Sequence, residues 1–198
     1  MDDVVRQAMV KWPNVPHCFG WLKLDARGHW RMRDERAQQL NLPGDKIAHP
    51  ALLGFINRNY THDEEGRWYF QNGPQRVYVD LELTPYVVRT DPTAGFITQT
   101  GDTLNVISQA WLTQEGQLVL VSETIVAALD DRDAAAVLAT LTVEDRPARD
   151  EEIMQWLDGS DMAAVVFSYD GNKLPLQRIS VNKLAGHFGF VGQPRATA

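Results

Sequence analysis

Over residues 75–83 the chain alternates, with Val77, Val79, Leu81 and Leu83 on one side and Arg76, Tyr78, Asp80 and Glu82 on the other. Successive side chains of a strand point to opposite faces, so the apolar set is buried only in a sheet that carries the polar row on its other face. The aromatic run Trp68, Tyr69, Phe70 precedes it across the turn residues Asn72, Gly73 and Pro74. Residues 66–89 therefore predict a strand pair, and the rest of the fold has to supply cover for its apolar face.

The remaining chain reads as short helices between hairpins. Asp2 or Asp3 can cap a helix over 2–12, with Val5, Ala8, Met9 and Trp12 on one face and Pro13 as its stop. A hairpin is expected over 19–33, turning at 25–28, and a helical turn over 34–42. Pro50 opens a helix with the stripe Leu52, Leu53, Ile56, Tyr60. The small polar stretch 91–95 predicts a boundary between units 1–92 and 93–198. In the second unit, hairpins are expected from 96–98 with 104–107, from 110–113 with 118–121, and from 163–169 with 174–179. Residues 122–129 fit strand or helix. Helices are expected over 131–141 (capped by Asp131), over 149–157 before Gly159, and from Ser180 to near Gly186, with a disordered tail after Gly192. Each unit reads hairpin, helix, hairpin. The fold class is α+β with mainly antiparallel sheet, and the repeated order is either a duplication or the ordinary alternation of such folds.

Composition narrows the function. A net charge of -7 argues against a nucleic-acid partner, because phosphate backbones require a basic surface. Cys18 is the only cysteine, which excludes an internal disulfide and a cysteine zinc cluster. No apolar run approaches the roughly 20 residues of a membrane span, and the start of the chain lacks the basic-then-apolar pattern of a signal peptide. A cytoplasmic protein without membrane contact or cofactor is expected.

The segment 28–85 resembles uncharacterised bacterial families of unknown function. The shared pattern runs from Gly28 and Trp30 through Ile47 and the helix residues 52–56. It continues through the acidic turn and aromatic strand at 63–70 to the alternating strand that ends in Tyr86 after Pro85. The resemblance implies a two-part α+β protein built from repeated motifs, with a role in regulation or signalling. It carries over no catalytic residue.

No phosphate loop, dinucleotide fingerprint or nucleophile elbow is present. The candidate ligand-binding residues are Arg76, Tyr78, Asp80 and Glu82 on the polar row, with Tyr69 beside them if that face is open. The competing expectation is a solvated face with a local Arg76–Asp80 pair. His62 with the acidic residues 63–65 lacks the ligand spacing of a zinc or calcium site, and His17 beside Cys18 is badly placed for a thiol–imidazole pair. The leading reading is a non-enzymatic binding or regulatory protein for a small molecule or a protein, a second copy of the chain included. The alternative is a hydrolase-like enzyme using the carboxylates Asp80 and Glu82.

Overall fold

The alternating segment lies at the centre of a six-stranded sheet in the computed structural model, which describes residues 1–160 and 163–196. The chain opens with helix α1 (Asp3–Lys11), strands β1 (Cys18–Leu24) and β2 (Trp30–Met32), helix α2 (Glu35–Gln39), strand β3 (Asp45–Lys46) and helix α3 (Pro50–Arg58). The meander β4 (Tyr60–His62), β5 (Trp68–Asn72) and β6 (Gln75–Leu81) completes a sheet ordered β3-β2-β1-β6-β5-β4. β1 and β6 pair in parallel, and the other neighbours are antiparallel. Parallel neighbours need a long crossover, and the segment through α3 supplies it.

A second sheet follows. It draws on β7 (Tyr86–Asp91), β8 (Gly95–Thr98), β9 (Gln109–Thr113), β10 (Leu118–Val121) and β11 (Val126–Leu129). Helix α4 (Asp131–Leu138), strands β12 (Thr142–Val143) and β13 (Arg146–Pro147) and helix α5 (Asp150–Asp158) come next. Strands β14 (Val165–Tyr169) and β15 (Asn172–Ile179) precede helix α6 (Val181–Phe188). The nine strands are ordered β13-β12-β14-β15-β9-β10-β11-β7-β8, with β7–β11 and β9–β15 parallel.

This second sheet is covered on both faces, which is why its strands read as apolar runs rather than alternations. Val87, Trp111, Val119, Val121, Ala128 and Ile179 join a core with Leu22, Trp30, Trp68, Val79 and Leu81 of the first sheet, together with Ile56 of α3 and Leu184 of α6. Their neighbours Val88, Leu112, Leu118, Leu120 and Leu129 face the opposite way, onto Val137 of α4 and Ile153 and Trp156 of α5.

Several expectations shift. The 91–95 stretch is the turn of the β7–β8 hairpin, where Asp91 Oδ1 accepts from the backbone of Thr93 and Ala94. The chain passes from one sheet to the other between Leu81 and Tyr86. Leu104 and Ile107 are buried without forming a strand. Residues 126–129 settle as β11, since parallel pairing with β7 buries both faces. The α4 cap is Asp130, whose carboxylate accepts from Arg132 N, not Asp131. α1 buries only Val5, leaving Trp12 exposed. α6 continues to Phe188 and ends where Gly189 takes φ +71°. The segment after Gly192 is docked rather than loose: Gly192 O accepts from Leu81 N at 2.7 Å and Arg195 reaches Asp80. Residues 197 and 198 of the expected tail lie outside the described residues. No helix among the described residues is long and apolar enough to cross a membrane.

Candidate functional site

Alternation along β5 and β6 sends Trp68, Phe70, Val79 and Leu81 into the core and Tyr69, Gln71, Arg76, Tyr78 and Asp80 to the outer face. Register then places Tyr69 opposite Tyr78 and Gln71 opposite Arg76. On the other side of β6, β1 runs parallel with a register shift between Cys18 and Leu22, at Gly20 with φ +79°. Phe19 there stacks on Tyr78, with ring centres 4.6 Å apart and planes within 7°.

The outer face is not the solvated surface expected. Tyr78 is 1% exposed and Asp80 3%, because Phe19, Arg33 and Arg195 cover them. Nor do Arg76 and Asp80 pair. The polar row divides among three surroundings.

The first surrounds Tyr78. Its hydroxyl donates to Asp63 Oδ2 at 3.0 Å, and the same carboxylate oxygen accepts from Arg67 Nε at 2.8 Å. Burial pushes the Asp63 carboxyl up, but the Arg67 backbone and guanidinium and the Tyr78 hydroxyl outweigh it and hold it below its ordinary value. Arg67 lies over the Tyr78 ring at 5.1 Å and Arg76 over the Tyr69 ring at 4.7 Å. Among the described residues no carboxylate lies within ion-pair distance of Arg76. Arg76, Tyr69, Arg67 and the turn at 62–65 enclose a cavity of about 530 Å³. His17 sets its ring edge against Tyr78 at 5.7 Å, and burial, followed by the Arg76 and Arg67 charges, pushes its pKa down.

The second surrounds Asp80. Oδ2 accepts from Arg33 Nη1 at 2.9 Å and Oδ1 from Arg195 Nη1 at 2.8 Å. Arg33 is itself buried and donates to the carbonyls of Leu42 and Ala37 and to Asn41 Oδ1. A recess of about 360 Å³ opens beside this network against Phe19 and Gln38. The third is Glu82, which sits at the surface with Lys23 Nζ 2.6 Å away.

Of the five residues expected at a site, Arg76 and Tyr69 thus line one cavity, Tyr78 is buried against Tyr69 without reaching its wall, and Asp80 and Glu82 do not join them. Sequence reasoning missed Asp63, Arg67, Arg33 and Arg195. The i,i+4 spacing of Asp63 and Arg67 across a glycine turn was a usable signal; nothing in the sequence linked Asp80 to partners 47 and 115 residues away. The wrong pairing of Arg76 with Asp80 followed from assuming that a polar row faces water.

A two-sheet α+β protein whose first sheet carries a polar, aromatic-lined outer face is what these elements define. The chain belongs to the DUF2944 family, described as "Protein of unknown function (DUF2946)", whose model matches residues 1–195. It is similar in fold to the crystal structure of a DUF1285 family protein from Silicibacter pomeroyi DSS-3, with a TM-score of 0.51 and 15% identity over 86% of each chain. A DUF1285 family protein from Shewanella baltica OS155 also matches, with a TM-score of 0.39 and 17% identity over 59% of this chain and 88% of that one. No curated protein matches.

Proposed function

We propose that this is a non-enzymatic, cytoplasmic binding protein with a regulatory role, and that its ligand is a small zwitterion held at the cavity of Arg76 and Tyr69, with Tyr78 buried against Tyr69 as support. The observation that carries the reading is Arg76. Among the described residues, its guanidinium lies over Tyr69 at the cavity wall without a carboxylate at ion-pair distance, while Glu64 on the same wall has no cation at that distance. One unmatched charge of each sign suits a ligand bearing a carboxylate and an ammonium, with the Tyr69 ring as its apolar floor. The carboxylate-enzyme alternative is less well supported, since Asp80 is held by two arginines and Glu82 by Lys23.

We propose in addition that the two parts of the chain derive from one motif. Supporting this, the orders β3-β2-β1-β6-β5-β4 and β11-β10-β9-β15-β14-β12 match strand for strand, with one parallel pair at the same place in each. The second part adds β13 and α5.

Calorimetric titration with phenylalanine, phenylpropionate and phenethylamine tests the ligand class. Phenylalanine is expected to bind more tightly than either singly charged analogue, and Arg76→Met to weaken it about tenfold, as loss of one charge-assisted contact predicts. Equal binding of all three compounds, or binding unaffected by Arg76→Met, would refute the assignment.

A further inference from the structure

A cavity of about 770 Å³ lies away from the face just described, between the end of α5, the last residues of β15 and α6. Parallel pairing of β15 with β9 places Gln177 opposite Trp111, and α6 begins directly after Ile179. The sheet end therefore delivers Trp111 to the wall of the cavity and Arg178 to its rim. Lys183 and His187 stand one helical turn apart on α6, so they share the face that lines it.

The charge of this lining is unusual for the protein. The chain is acidic overall, and most of its arginines and lysines have a carboxylate within 4 Å, for example Arg27 with Asp131, Arg58 with Asp2 and Lys173 with Asp145. Among the described residues, Arg178 and Lys183 have none, although Asp158 lines the same cavity; its Oδ1 accepts from Ser160 N. Arg178 is positioned by Trp156, donating to its carbonyl at 2.7 Å and lying over its ring. Trp111 spends its indole N–H on Gln109, so what it offers the cavity is apolar ring surface, meeting the His187 ring at 4.6 Å.

We propose that this cavity binds a phosphate monoester carried on a planar ring. The phosphate sits between Arg178 and Lys183, and the ring lies in the corner of Trp111 and His187. Arg178 lies near enough to Asp158 to help lower its pKa, but among the described residues neither Arg178 nor Lys183 has an ion-pair partner. Two such cations suit a dianion better than a single carboxylate, and the volume falls within the range that holds a ring together with its charged group. The site is independent of the zwitterion cavity and shares no residue with it.

The test is titration of the full chain with AMP, with adenosine and inorganic phosphate as half-ligands, followed by amide chemical-shift mapping. AMP is expected to bind at least about tenfold more tightly than either half, with shifts centred on Asn182, Lys183 and His187. Lys183→Gln, an exposed and structurally mild change, is expected to weaken AMP about tenfold, the loss of one charge-assisted contact, whereas Arg76→Met leaves it unchanged. Three results would each overturn the proposal: no AMP binding at millimolar concentration, AMP binding no tighter than phosphate, or Lys183→Gln binding like the parent chain.

Discussion

Replacing Asp80 with asparagine keeps the shape of the side chain and removes its charge. Arg33, whose side chain is 7% exposed, then remains as a buried cation without a counter-charge. Breaking a buried pair in this way costs about 3–5 kcal/mol. Arg195 contributes far less. Its side chain is 56% exposed, and a pair with one solvated partner is worth at most about 1 kcal/mol. The expected order is therefore Asp80→Asn much worse than Arg195→Ala, with a melting temperature lowered by roughly 6–20 °C in the first case and by no more than about 4 °C in the second. Urea denaturation followed by circular dichroism measures both, and the double variant completes a cycle. Because Arg195 has lost its partner charge in the Asp80→Asn background, Arg195→Ala is expected to cost almost nothing further there. If Asp80→Asn costs under about 1 kcal/mol, or no more than Arg195→Ala, Asp80 is not the anchor described. A companion change, Arg33→Met, separates charge from geometry. It leaves Asp80 with its solvated partner but strips donors from Leu42, Ala37 and Asn41, so its loss is expected to include disorder of the 40–44 loop.

Two further perturbations follow from buried groups. Burial raises the Tyr60 hydroxyl well above its ordinary value and, with the Asp102 charge, pushes Tyr86 up to about 12. The folded chain thus holds protons that the unfolded chain releases near pH 10, so their contribution to stability is intact below pH 10 and is lost as pH rises toward 12. Absorbance at 295 nm should show these two tyrosines ionising together with loss of the circular dichroism signal; full ionisation of all five near pH 10 in a native fold would refute this. Gly66 has φ +74°, and an added Cβ would overlap the carbonyl oxygen of Gly189, which is backbone and has no side-chain freedom to yield. Gly66→Ala is expected to lose about 1–3 kcal/mol and to free the segment after Gly189, read as faster proteolytic removal of the C-terminal residues. An unchanged cleavage rate would show that the close approach at Gly66 does not hold that segment.

The sequence revealed local periodicity and concealed long-range cover. β6 was legible because period two is a property of nine consecutive residues, and the Asp170–Asn172 turn and the Gly159 helix end were legible for the same local reason. Where cover came from afar, reading failed. The outer face of β6 looked like a solvent face because its residues are polar, yet polarity there reflects the groups that cap it. Arg33 lies on the far side of β1, and Arg195 arrives after α6 has carried the chain back from the second sheet, along a path fixed by the Val191–Arg67 bridge and the Leu81–Gly192 hydrogen bond. A buried carboxylate needs a cation, and no rule of spacing says which of the nineteen lysines and arginines it will be. The same logic underlies the two binding proposals made for Arg76 and for Arg178 with Lys183. Among the described residues most cations are matched internally, and of those at cavity walls that are not, Arg76 lies over a tyrosine ring and Arg178 and Lys183 share one cavity, whereas Arg36 and Arg89 stand alone.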